Sequence, residues 1–237
     1  MVQYAGGGYH RRGSAIGAKI YTLLSSLTQS TYNEISPKIE FWIEYALSEQ
    51  SIRADDLVQH LSYLPWNCYG SGPVVARFLR EFREAPHRSK KVRSFVDKLC
   101  SRVLRWFAAA SAEGLSATIS VDQYGYERPG VAVGGGEGFI RAASFVGSLI
   151  EGNLLSQELV RQNLAKPLIF HHYTDPYDDV EKSIMAKAIY ELFVAARDTL
   201  LQGFLDPEDV QACFEALNTN VPWQEVAEPD KRRVAVR

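Results

Sequence analysis

Apolar residues recur every three to four positions along most of this 237-residue chain, the period of helices with one buried face. Ile16, Ile20, Leu23, Leu24 and Leu27 share one side of the first such helix. Residues 1–13 before it are Gly-rich and basic, and read as a flexible arm. The second helix carries a stripe of Ile39, Trp42, Ile43, Ala46 and Leu47. Its start has two readings. Ser36 is a cap with Pro37 at the first helical position, or Thr31 is the cap with Glu34 closing a capping box. A shorter helix over 54–64 is opened by Asp55 and Asp56 and ended by Pro65.

Gly72-Pro73 starts a helix with Val74, Val75, Phe78, Leu79 and Phe82 inward, and Pro86 breaks it. Ser89 caps the next, whose inward positions are Val92, Phe95, Val96, Leu99, Val103 and either Trp106 or Phe107. Residues 113–136 interrupt the period with glycines and Pro129. Thr118 to Val121 alternates as a short strand would, and a long loop fits equally. Helical period returns at Phe139, and Gly152-Asn153 supplies a stop. Gly147 lies mid-helix, where glycine is costly unless another helix approaches closely. Ser156 caps a following helix, a long one spans 178–201, and Asp206-Pro207 opens a last one. The tail 223–237 is charged. About nine helices with short connectors fit an all-α superhelix of antiparallel pairs better than a four-helix bundle. The organisation expected is an arm, one helical-repeat domain over 14–222 and a tail.

Composition adds three limits. No apolar run approaches the ~18–20 residues that span a bilayer, and no signal core opens the chain. Cys68, Cys100 and Cys213 are isolated and read as reduced, partly buried thiols of an intracellular protein, expected in the cytoplasm with the nucleus as the alternative. The net charge of −2 hides an asymmetry. Residues 77–105 hold ten Lys/Arg against three Asp/Glu, hence +7, which leaves −9 on the rest. Lys91, Lys98, Arg102 and Arg105 fall on one side of their helix; Arg77, Arg80 and Arg83 repeat every three residues on the one before. These seven are candidates for a phosphate backbone or an acidic partner. Lys98 and Arg102 are expected to face solvent, so changing both to Glu should cost about 0.5 kcal/mol or less.

Signals for chemistry are sparse. Gly134, Gly136 and Gly138 lack the spacing and preceding strand of a dinucleotide loop. His171 and His172 near Asp175 and Asp179 form the one arrangement that suggests a metal, but adjacent histidines on a turn point apart. No nucleophile signature is present, so no catalytic residue and no cofactor are expected. Phe41, Trp42, Tyr45, Trp106 and Phe107 sit at helical spacing and read as core, whereas Trp66, Tyr69 and Trp223, in loops or at helix ends, are candidate anchors for a protein partner.

Two stretches carry a family resemblance. Lys19 to Thr28 (Lys-Ile-Tyr-Thr-Leu-Leu-Ser-Ser-Leu-Thr), leading into Ile35 and Ile39-Glu40-Phe41-Trp42, resembles the opening helix pair of the middle domain of eukaryotic translation initiation factor 4G. Ala143 to Ser156, with Phe145-Val146-Gly147-Ser148-Leu149 at its centre, is similar to a later helix and turn of that family. The resemblance implies a crescent of about five HEAT-type helix pairs and a scaffold without catalysis in mRNA metabolism, most simply translation-linked. It implies a DEAD-box RNA helicase as partner, with sequence-tolerant RNA contact through the basic face. The short peptide motif that docks cap-binding protein is absent. A general interaction adaptor without an RNA role, and an all-α metal enzyme built on the His171 cluster, are the alternatives.

Overall fold

The computed structural model describes residues 7–49, 52–67, 71–113, 135–165 and 179–204, with 208 and 211. Among them every regular element is helical. They are α1 (Gly7–Ser25), α2 (Tyr32–Ser48), α3 (Ala54–Leu61), α4 (Leu64–Asn67), α5 (Gly72–Glu84), α6 (Lys90–Glu113), α7 (Gly135–Glu151), α8 (Gln157–Val160) and α9 (Asp179–Thr199). Wider π turns, Arg161–Ala165 and Leu200–Phe204, extend α8 and α9. The strand or loop expected between 114 and 134, the turn at 171–176, the helix opened by Asp206 and the charged tail lie outside the described residues.

Helices alternate between two rows. In one, α1 packs on α3, α3 on α6, and α6 on the π turn after α8. In the other, α2 packs on α5, α5 on α7, and α7 on α9. The short α4 lies against α1 and α7. Between the rows runs a continuous apolar core from Ile20, Leu24 and Ile43 through Phe78, Phe82 and Phe95 to Phe107, Phe139 and Phe193. Phe107, not Trp106, takes the inward position at the end of α6, where its ring stacks on Phe139 of α7 at 4.8 Å.

Local signals account for most element ends. Ser89 and Ser156 accept from the amides of Val92 and Leu159 through their hydroxyls, as N-caps do. At the end of α7, Asn153 adopts φ +54°, the amide of Leu154 reaches the Leu149 carbonyl and that of Asn153 the Ile150 carbonyl. That pattern is a Schellman stop, sealed by contact between apolar residues at its two ends, here the buried Leu149 and Leu154.

Four expectations shift. The first helix starts at Gly7, inside the stretch read as an arm. Amides of a first turn lack intrahelical partners, so glycines there cost less than in a helix interior. Of the two expected starts of the second helix, the one at Thr31 is found and the one at Ser36 is not, so Pro37 is interior. Thr31 turns its hydroxyl back to the Ser26 carbonyl and the Thr28 amide, at 3.0 and 2.9 Å, rather than closing a box with Glu34. Pro65 does not terminate a helix. It occupies the second position of α4, where a missing amide proton is harmless. Gly135 to Gly138 belong to α7 rather than to the irregular stretch, and a side chain on Gly136 would strike the end of Ile184 on α9.

Close approaches involve two further glycines. A Cβ on Gly17 would lie 3.0 Å from the His60 ring, which draws α1 onto α3. A Cβ on Gly147 would lie 2.7 Å from the Ala195 Cβ and 2.8 Å from the Leu192 carbonyl oxygen, so α7 meets α9 nearly backbone to backbone. Burial holds His60 below its ordinary 6.5. An unfolded chain therefore takes up a proton near pH 6.5 that the folded chain refuses. Stability from this group is complete above pH 6.5 and is lost as pH falls below it. The carboxylates of Glu34, Asp55 and Glu81, each held low chiefly by a hydrogen bond from a cation, lose their contribution only further down. Urea midpoints at pH 7 and 5.5 should therefore differ, and His60→Leu should shrink that difference.

Candidate nucleic-acid and partner surfaces

The seven basic candidates do not gather on one face. Arg77 on α5 binds Glu81 at 2.8 Å and lies over the ring of Tyr32 on α2, so it belongs to the second row. Tyr32 in turn donates to Glu81; burial, then that hydrogen bond, pushes its phenol well above the ordinary range. Arg83 faces the other way. It reaches Asp97 of α6 at 3.4 Å, Glu84 at 3.5 Å and the Asn153 carbonyl at 3.1 Å, which ties α5 to α6 and to the end of α7. Arg80 is half-buried between them. Arg88, part of the basic run, is enclosed: it pairs with Glu40 and Glu44 of α2 and lies over Phe82.

The remaining four are on α6. Lys91 and Arg105 are exposed and make no ion pair among the described residues. Lys98 binds Asp55 at the start of α3 at 2.9 Å. Arg102 departs from expectation: it is half-buried, with its guanidinium 5.0 Å from the centre of the Trp106 ring. Trp106 meets Tyr63 edge-on at 4.9 Å. The double change to Glu at 98 and 102 should therefore cost more than a surface substitution, because it removes a half-buried cation from beside an aromatic ring.

Of the proposed protein anchors, Tyr69 and Trp223 lie outside the described residues, and Trp66 is placed only as part of α4. A different aromatic surface emerges. Phe41 is 60% and Tyr45 41% exposed, a correction to their reading as core. The inward stripe of α2 runs through Tyr32, Ile39, Ile43 and Ala46, and the two rings point away from it, stacked on each other at 6.3 Å. Trp42 stands nearly perpendicular to both, and the Lys19 ammonium lies 3.9 Å above a Trp42 ring centre. The signal that could have found them was angular: Phe41 and Tyr45 fall about half a turn from Ile39 and Ile43 at 100° per residue.

Among the described residues no group of three His, Cys, Asp or Glu side chains could hold a metal. His171, His172 and Asp175 fall outside them, and of Asp179 only its place at the head of α9 is described. An apolar crevice lined by Leu24, Leu61, Leu79, Leu99, Cys100 and Phe145 has room for about one water. Complete burial pushes the Cys100 thiol up to about 12, so it is not a nucleophile at neutral pH. Cys100 should resist iodoacetamide in the native protein and react fully in urea, as read by peptide mass. No helix among the described residues is long and apolar enough to cross a membrane.

Comparison with protein-family models, with curated proteins and with solved structures gave no match.

Proposed function

We propose that this chain is a non-catalytic helical scaffold of mRNA metabolism, translation-linked, built as a HEAT-type superhelix like the middle domain of initiation factor 4G. Its protein partner would be a DEAD-box RNA helicase, and a basic face would touch RNA. The observation that carries the reading is that α1, α3 and α6 pack in succession, and so do α2, α5, α7 and α9, with the short α4 between the two rows. Stacking of helix pairs in this way builds extended surfaces that suit binding. The exposed Phe41 and Tyr45 give one such surface an aromatic anchor.

Affinity purification from the native host, with and without RNase, tests it. Recovery of a DEAD-box helicase or initiation factors that survives RNase supports the scaffold, and Phe41→Ser with Tyr45→Ser should reduce that recovery. Recovery of proteins unrelated to mRNA in both arms rejects it. The adaptor reading without RNA has its own support: Arg77, Arg83, Arg88 and Lys98 are already engaged by acids of the same fold. It requires that RNase change nothing and that no RNA-processing protein be captured.

A further inference from the structure

We infer that the outward row of α6, formed by Lys91, Lys98, Arg102 and Arg105, binds the phosphodiester backbone of single-stranded RNA, with Arg102 as its two-pronged phosphate donor. This rests on the RNA contact in the proposed function and assigns it to one helix, without the arginines of α5.

Arg102 carries the argument. Its Nε is sealed from solvent and has no hydrogen-bond partner, and its guanidinium carbon lies 5.0 Å from the centre of the Trp106 ring. The guanidinium makes no ion pair within 4.0 Å among the described residues, although its charge acts on Asp55, so its two terminal nitrogens are left to meet a ligand. A guanidinium with its Nε buried beside an aromatic ring and a free pair of terminal donors matches two oxygens of one phosphate. The other cations extend the site along the helix. At 1.5 Å per residue, Lys91, Lys98, Arg102 and Arg105 are separated by about 10, 6 and 4.5 Å along the axis. Ser94, exposed, and Ser101, half-buried, lie within the same stretch and add hydroxyl donors. Arg53 stands nearby, at the start of α3. Asp55 and Asp56 are the opposing acids there, against five cations, which leaves +3.

Nucleic acid fits this row better than an acidic protein. Protein interfaces centre on buried apolar or aromatic anchors. The exposed large apolar side chains described, Phe41 and Tyr45, sit on α2 in the other row. Trp106 already holds Arg102 on its ring and Tyr63 at van der Waals range, so base stacking is not its role. Backbone contact alone makes binding indifferent to sequence and strongly dependent on salt.

The test measures binding of a fluorescent 20-nucleotide oligo-U to the full chain between 50 and 200 mM salt. The affinity should fall with a log–log slope of about −2 to −3, near 0.7 per phosphate neutralised. Lys91→Gln with Arg105→Gln, both exposed and unpaired, should lower affinity at least tenfold and shrink the slope by about 1.4. Arg102→Lys keeps the charge but loses the fork; it should weaken binding about threefold to fivefold without changing the slope. Arg77→Gln, on the other row, should stay within twofold of the parent. The proposal fails if the parent does not bind, if Arg102→Lys binds as the parent does, or if Arg77→Gln weakens binding as much as the double change. It fails too if poly-glutamate displaces the RNA at equal charge concentration. Helicase capture separates the two readings, since Lys91→Gln with Arg105→Gln should leave it intact. Capture lost in the parent with RNA binding retained rejects the scaffold partner and leaves this row standing.

Discussion

Gly147→Leu is expected to abolish the native fold, and Gly147→Ala to destabilise it by about 1–3 kcal/mol. The single methyl of alanine would lie 2.7 Å from the Ala195 Cβ and 2.8 Å from the Leu192 carbonyl oxygen. Neither atom is the end of a flexible side chain, so the backbone of α7 or α9 must shift. Overpacking of a close-packed interior by one or two methylenes costs about 1–3 kcal/mol. Against it stands the better helix propensity of alanine, worth about 0.8–1 kcal/mol. The packing term wins because a rigid backbone, not a rotamer, must move. At this chain length each kcal/mol lowers the melting temperature by about 2–4 °C. Gly72→Ala is the control. A Cβ there would meet Phe145 and Ser148 at 3.5–3.6 Å, ordinary contact, so the change should fall within about 0.5 kcal/mol. Ala195→Gly should rescue part of Gly147→Ala and not all of it, because the Leu192 carbonyl remains. A Gly147→Ala protein that melts at or above the parent temperature would show that α7 and α9 do not approach this closely.

That position was readable in advance, and the reason is general. A mid-helix glycine costs helix stability by itself, so it points to a close crossing whatever the partner. The stop at Gly152-Asn153 and the caps at Ser89 and Ser156 were readable for the same reason: each is decided within a few residues of the chain. What depended on distant elements was not. Period alone placed Phe41 and Tyr45 with the core because aromatic residues are usually buried. Their exposure follows from which side of α2 meets α1 and α5. The charge of +7 over 77–105 also misleads as a local sum, since Glu40, Glu44 and Asp55, some 40 to 50 residues earlier, fold against it. The basic face thereby contracts from two helices to one.

The Arg88 cluster gives the second large effect, with an unusual order of severity: removing the two acids should harm the fold more than removing the base. Arg88 is 7% exposed, whereas Glu40 and Glu44 retain 34% and 47% of their side-chain surface. Its Nε already lacks a partner, and its guanidinium covers the ring of Phe82. Arginine keeps its proton at any pH the fold survives. In Glu40→Ala with Glu44→Ala it becomes a buried charge with no counter-ion, which costs about 3 kcal/mol, the low end for such stranding because the vacated sites admit water. In Arg88→Met an apolar stem still packs on Phe82, and the two carboxylates, already near solvent, rehydrate. The loss there should be about 1 kcal/mol, made of the cation–ring contact and a modest ion-pair gain. The triple variant should lie close to Arg88→Met, so the acids that matter so much beside arginine matter little beside methionine. Chemical denaturation of the four proteins at pH 7 measures all of this in one cycle. Equal losses for the acid pair and the base would mean that Arg88 reaches water, and that α2 is held to the α5–α6 turn by packing alone.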